Sequence, residues 1–155
     1  MKRLACVLLL GAGCGGSSSA SWDGVADAIQ SATSVDAWTI HSEPQLQEKH
    51  FDYKETSPQT PVDAPAQRML TGILRDPASF SETPKACVPV PGVKLRFNRS
   101  GAPPVWVFIC FDCAELFVYE SMLWREHKEI DPCVAALAAV LKKVFPRDPL
   151  IQSLK

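Results

Sequence analysis

The chain has 155 residues, with 16 basic and 17 acidic side chains and a formal net charge of −1. Hydrophobic residues make up 46% of it, enough to build the core of one ordinary domain. Because there is no basic excess, the composition argues against a nucleic-acid-binding protein, and we expect no nucleic acid among its partners.

The first residues have the order of a secretory signal peptide. Lys2 and Arg3 form a short positive segment, an apolar run extends from residue 4 to residue 10, and three small residues precede Cys14. The apolar run is too short to cross a bilayer, which takes about 20 residues. We predict a signal peptide over residues 1–13, whose removal leaves 14 basic and 17 acidic residues and a net charge of −3.

The segment Leu10-Gly11-Ala12-Gly13-Cys14 resembles the lipobox of bacterial lipoproteins, although Gly11 stands where that family prefers leucine. The resemblance implies that Cys14 is acylated and becomes the first mature residue, which anchors an exported domain to a membrane. Because Gly15 follows, and not Asp, it implies outer-membrane sorting in a Gram-negative source. Residues 14–21, rich in Gly and Ser, predict a flexible tether. The alternative is a non-lipidated signal peptide cut near residue 20.

The first part of the domain contains one helical and two strand-like patterns. Residues 22–33 can form a short amphipathic helix. Residues 35–42 alternate as a strand, with Trp38 and Ile40 on one face. The aromatic alternation of Phe51-Asp52-Tyr53 predicts a second, short strand, followed by a loop.

The next pattern is a helix with a clear start and end. Asp63 is a good N-cap, and Pro65 fits the first turn, where its missing N–H costs nothing. Apolar residues then recur at helical spacing until Asp76-Pro77 ends the helix. Gly72 inside this segment predicts either a close packing contact or a short helix.

The strongest β pattern lies between residues 90 and 119. Apolar residues alternate with polar ones over residues 93–98, which predicts a strand with one solvated face. Residues 105–111 are almost all apolar, as in a central strand covered on both sides. A tight turn or bulge at residues 112–114 and a third strand at residues 116–119 complete a three-strand meander.

The last pattern is a helix after Asp131, a predicted cap, and Pro132, with an apolar stripe from Val134 to Phe145. Together these patterns predict a single α+β domain over residues 22–155. We expect an antiparallel sheet of about five strands, including the meander, with helices packed mainly on one face.

Four cysteines of the predicted domain could carry structure or chemistry: Cys87, Cys110, Cys113 and Cys133. An even number in an exported domain indicates two disulfides, with all three pairings open. A redox alternative rests on the C-x-x-C spacing of Cys110 and Cys113, although the anion Asp112 between them disfavours a thiolate. A metal alternative uses these thiols with or without a histidine, but a second close cysteine pair is missing.

The other ionisable residues give weaker signals. We expect all three histidines to be solvated or to cap an element. Three acidic residues near the meander turn have the chemistry to hold a cation, but we expect them to be solvated as well. These residues are His41, His50, His127, Asp112, Glu115 and Glu120. The sequence has no nucleophile elbow, phosphate-binding glycine loop or HExxH motif, so we assign no catalytic residue, metal or cofactor.

Several segments of the chain resemble an uncharacterised family of small exported bacterial proteins with a Cys…CFxC motif. Matching segments include Cys87-Val88-Pro89, Cys110-Phe111-Asp112-Cys113 and Leu116-Phe117-Val118-Tyr119, and the set of Cys87 with Cys110-Phe111-Asp112-Cys113 is the most specific part. The resemblance covers most of the mature chain and implies a shared α+β fold with three recurrent cysteines. It implies no activity, and Cys133 lies outside its pattern.

These patterns favour a lipid-anchored cell-envelope protein that faces the periplasm or the cell surface, is non-catalytic and contains structural disulfides. One alternative is a thiol–disulfide redox or metal-binding protein that uses the C-x-x-C segment. A second is an interaction module that presents a sheet edge or the loop around Trp124 to an envelope protein partner.

Overall fold

The computed structural model describes residues 22–41, 53–83, 85–121 and 123–155. The predicted signal peptide, the predicted lipidation site Cys14 and the predicted tether lie outside the described residues, as do Phe51 and Asp52 of the predicted second strand. Within the described part of the chain, no helix is both long and apolar enough to cross a membrane.

The described residues form helices and one antiparallel sheet. The helices are α1 (Trp22–Gln30), α2 (Ala64–Arg75), α3 (Val134–Val144) and α4 (Pro149–Ser153), with short 3-10 turns at Pro77–Ser79 and Asp131–Cys133. The strands are β1 (Ala32–His41), β2 (Lys54–Glu55), β3 (Thr60–Pro61), β4 (Val93–Arg99), β5 (Ala102–Cys110), β6 (Glu115–Glu120) and β7 (Leu123–Glu129).

The strand order is β2-β1-β4-β5-β6-β7, with β3 also paired to β1, and every pairing is antiparallel. The α+β class is therefore confirmed, but the expected number of about five strands is wrong because the described residues form a sheet of seven. The predicted three-strand meander extends to four strands, β4 to β7.

Two strands that the sequence did not predict account for the larger number, one of them very short and the other polar. β3 has two residues in a segment that the sequence predicted as a loop. β7 contains the charged run Arg125-Glu126-His127-Lys128-Glu129, in the segment around Trp124 that was expected to be a loop. An edge strand has one strand neighbour and tolerates charge on both faces, so β7 lacks the apolar alternation by which strands are recognised.

The two faces of the sheet are covered differently. One face, called the inner face here, packs against the buried residues of all four helices in a single hydrophobic cluster that includes Val35, Leu95 and Val107. The opposite, outer face carries a smaller aromatic cluster built on Trp38, Phe108 and Tyr119. The alternation predicted for β1 is confirmed, since Trp38 lies on the outer face and Val35 on the inner one.

The polar side of β4 is less solvated than its pattern indicated. Lys94 and Arg96 point to the outer face, where each cation lies over the rings of both Trp38 and Trp106. The distances from Lys94 Nζ to the two ring centroids are 4.7 and 5.4 Å. Cation–π attraction and ion pairs therefore replace part of the water that these side chains would otherwise bind.

Of the two predicted helix caps, one is confirmed and the other is wrong. Asp63 Oδ1 accepts a hydrogen bond from the N–H of Ala66 at 2.8 Å and begins α2 as expected. Asp131 makes no capping hydrogen bond, because its carboxylate is held by Lys85 and Ser81, and a 3-10 turn precedes α3. Gly72 fits neither expectation, since α2 has 12 residues and a Cβ at this position would meet nothing within 4 Å.

Candidate functional site

The turn between β5 and β6, residues 111–114, is the centre of the candidate site. Ala114 adopts a φ of 52°, and its N–H donates to the carbonyl of Phe111 at 3.2 Å. The predicted tight turn is therefore present, and it bends the C-x-x-C segment away from a flat strand. We call residues 110–114 the cysteine turn.

One disulfide joins this turn to the segment that precedes β4. Cys113 is bonded to Cys87, with their Cα atoms 5.9 Å apart. Cys110 and Cys133 are buried free thiols, so the structure contains one of the two disulfides that the sequence indicated. The C-x-x-C cysteines are not bonded to each other.

The two free thiols lie in different surroundings. Cys110 Sγ, inside the cysteine turn, accepts hydrogen bonds from the N–H groups of Val90 and Cys113 at 3.3 and 3.4 Å. Cys133 lies at the start of α3 in the inner cluster, where burial raises the pKa of its thiol to about 11. The structure therefore gathers three of the four candidate cysteines at one turn and leaves Cys133 in the core.

Lys85 fastens the cysteine turn to the end of β7. Its ammonium donates to the carbonyl oxygens of Cys113 and Ala114 at 2.7 and 3.3 Å. It also pairs with Asp131 at 2.6 Å and with Glu129 at 3.3 Å. Burial alone would lower the pKa of Lys85, but the two carboxylates outweigh it and raise the pKa. No sequence pattern predicts this role, since Lys85 lies in a segment without periodic pattern.

Beside the ammonium, the structure brings together Glu115, His127 and Glu129, which we call the carboxylate–imidazole cluster. Glu115 begins β6 directly opposite Glu129, the last residue of β7. The His127 Nε2 atom lies 3.7 Å from Glu115 Oε2 and 3.9 Å from Glu129 Oε1. Burial and, next, the charge of Glu129 raise the pKa of the Glu115 carboxyl.

The other predicted candidates lie apart from this cluster. Asp112 is exposed in the cysteine turn, and His41 is exposed at the end of β1. Glu120, at the far end of β6, forms ion pairs with Arg99 and Arg125. His50 lies outside the described residues. Of the three acidic residues considered for a cation, only Glu115 joins other potential ligands within the described structure.

Trp124 lies on the edge strand β7 and not in a loop. Its ring contacts Phe117, Tyr119 and His127 on the outer face, yet 51% of the residue remains exposed. The neighbouring Leu123 is 62% exposed. This end of the edge strand thus presents two large apolar side chains beside the aromatic cluster.

Comparison with known proteins returned no match to any family model, curated protein or solved structure.

Proposed function

We propose that the chain is an exported cell-envelope lipoprotein, anchored through Cys14, whose domain is a non-catalytic module stabilised by a disulfide. The sequence support is the positive, apolar and small-residue order of residues 1–13, followed by Cys14 and a Gly/Ser tether. The Gly after Cys14 favours the outer membrane in a Gram-negative cell.

The Cys87–Cys113 bond is the observation that carries this proposal, because disulfides persist in oxidising compartments and are rare in the cytosol. It joins an exposed segment to the buried end of a central hairpin, across 26 residues of sequence. Closing a loop of that length contributes about 3–4 kcal/mol in the chain-entropy description. A bond in this position stabilises the folded domain.

The surroundings of the cysteine turn favour a structural role over a redox role. A C-x-x-C redox pair needs an accessible attacking sulfur and a bond between its own two cysteines. Here Cys113 is bonded to Cys87, and Cys110 is fully buried. The cleft beside the turn has a volume of about 240 Å³, below the roughly 300–1,000 Å³ typical of small-molecule sites.

The anchoring is tested by substituting Cys14→Ser and following the protein between membrane and soluble fractions, with metabolic labelling by a fatty-acid probe. We expect loss of the label and release from the membrane, because the acylated thiol is the anchor. Cys6→Ser is the matched control and should remain labelled and membrane-bound. Unchanged fractionation of Cys14→Ser contradicts the proposal.

A second candidate function, binding to an envelope protein, is favoured by the exposed Leu123 and Trp124 at the N-terminal end of the edge strand β7. Aromatic side chains of this kind often anchor protein interfaces. A photo-crosslinking residue placed at Leu123 in intact cells should capture a defined partner, and Trp124→Ala should abolish the adduct. The control position is Leu150 on α4, which is also exposed. Equal adducts at both positions, or none at Leu123, argue against this candidate.

A further inference from the structure

Beyond the proposed function, we propose that Glu115, His127 and Glu129 form a binding site for a divalent first-row transition-metal ion such as Zn²⁺. No motif in the sequence marks this site, because its residues meet only through the pairing of β6 with β7. The site is supported by the spacing of its ligand atoms, by the burial of two like charges and by a buried carboxylate, that of Glu115, without a close partner in the described structure.

The geometry is close to that of a three-ligand metal site. The potential ligand atoms of the three residues all lie within 4.8 Å of one another, and Nε2 is 3.7 and 3.9 Å from the two carboxylates. A tetrahedral ion with bonds of about 2.1 Å holds its ligand atoms about 3.4 Å apart. Side-chain shifts of less than about 1.5 Å would therefore suffice, by the same bond lengths.

The charges of the cluster are poorly compensated without a cation. Glu115 and Glu129 are more than nine-tenths buried and stand directly opposite each other, a position in which like charges are destabilising. Lys85 reaches Glu129, but it also serves Asp131 and two carbonyl oxygens. Within the described structure, the basic group within 4 Å of the Glu115 carboxylate is the imidazole of His127, at 3.7 Å, which carries a charge only when protonated. A divalent ion would compensate both carboxylates at once.

An independent observation is the state of the carboxylate oxygens. Glu129 Oε2 is buried and makes no hydrogen bond to any described residue, although Lys85 Nζ lies 3.3 Å away. The contact from Glu115 Oε2 to His127 is longer than a hydrogen bond. Glu129 Oε2 is the oxygen paired with Lys85, so it is the carboxylate of Glu115, buried and facing the imidazole, that lacks a close partner within the described structure. Buried carboxylates in proteins are normally hydrogen-bonded or coordinate a metal.

The imidazole indicates the class of ion. Mg²⁺ and Ca²⁺ favour all-oxygen ligand sets, whereas an imidazole nitrogen suits Zn²⁺ and its first-row neighbours. The His127 ring is stacked on Phe117 at 4.9 Å with an interplanar angle of 8°, which aims Nε2 at both carboxylates. More than a third of the His127 side chain is exposed, which leaves the solvent side open for a water as the fourth ligand.

The test is titration of the oxidised, chelator-stripped full chain with Zn²⁺ by calorimetry, and with Co²⁺ by visible absorption. We expect one ion per chain and a higher thermal unfolding midpoint with Zn²⁺, since the ion binds the folded state. Glu115→Gln and His127→Gln should each weaken binding at least about tenfold, because losing even a supporting residue of a metal site costs 10–100-fold. The matched controls are Glu126→Gln, on the same strand, and His41→Gln, and both should bind like the wild type.

Three outcomes would overturn the site. The first is wild-type protein that binds no Zn²⁺, and the second is unchanged affinity in both ligand variants. The third is loss of binding in His41→Gln, which would indicate a surface histidine instead. His127 is exposed, so His127→Gln keeps the test valid if Glu115→Gln does not fold. None of these outcomes depends on lipid attachment, so failure here is distinguishable from failure of the proposed function.

Discussion

At the scale of single residues, Asp36 shows how a charge is retained on the outer face of the sheet. Its Oδ2 accepts hydrogen bonds from Arg96 at 2.8 Å and from Asn98 at 2.9 Å, both on the neighbouring strand β4. Burial would raise the pKa of Asp36, but these hydrogen bonds outweigh it and lower the pKa below the ordinary value of 3.8. The ionised carboxylate is therefore favoured in the folded protein.

Asp36→Asn should lower the free energy of unfolding by about 1–3 kcal/mol at pH 7, because the partly buried Arg96 loses its ionic partner. A folded-state pKa below 3.8 means that this stability is present above pH 3.8 and is lost as the pH falls through the lowered pKa. The difference between wild type and variant should thus shrink below about pH 4.

Urea unfolding of both proteins between pH 7 and pH 2.5 measures this change. Asp27→Asn, at an exposed position of α1, is the control and should stay within about 0.5 kcal/mol of the wild type. A difference that is the same at every pH would argue against an ionic role for Asp36.

At the scale of elements, the predictable parts were those whose apolar pattern matches their burial. The sequence pattern predicted correctly which faces of β1, β4 and β5 are buried. These strands bury one or both faces against the core, so their apolar residues follow the burial. β7 and β3 were missed because an edge strand of charged residues and a two-residue pairing leave no periodic signal. The short α4, capped by Asp148, was missed for its length.

The candidate site, too, could be predicted from the sequence only in part. The cysteines were recognisable as a group, but the choice of Cys87 for Cys113 depends on where the segment before β4 passes the β5–β6 turn. Glu115 was noticed as an acidic residue, whereas its pairing with Glu129 follows from the register of β7, which the sequence did not predict. Contacts made by register or by irregular segments cannot be deduced from spacing along the chain.

Gly72→Ala should stabilise the protein by about 0.5–1 kcal/mol, because alanine restricts the unfolded chain and favours a helix interior. The position lies inside α2, and an added Cβ would meet nothing within 4 Å. Thermal unfolding measures the effect. Gly101→Ala is the contrasting variant, in the β4–β5 turn at a φ of 69°, and should be destabilising by about 1 kcal/mol. A loss of stability in Gly72→Ala would mean that α2 has a close neighbour at this point.

At the scale of the whole molecule, the Cys87–Cys113 bond encloses β4 and β5, the central strands of the sheet. Reduction should lower the free energy of unfolding by about 3–4 kcal/mol, because the unfolded chain regains the freedom of that loop. Denaturant unfolding with and without reductant tests this expectation. Cys87→Ala should resemble the reduced wild type and should not respond to reductant, and a wild type equally insensitive would show that the bond adds no stability.

The strand order also has a kinetic consequence. β4 to β7 are joined by short turns and can assemble from local contacts, but β1 pairs with β4 across a long stretch of chain, as in Asp36 and Arg96, 60 residues apart. Pairings of such separation close slowly. Since synthesis proceeds from the N-terminus, β1 emerges first and waits without its partner strand until residues 93–99 follow. During that interval the apolar face of β1 is open to misassociation, and a holding chaperone would have its greatest effect there.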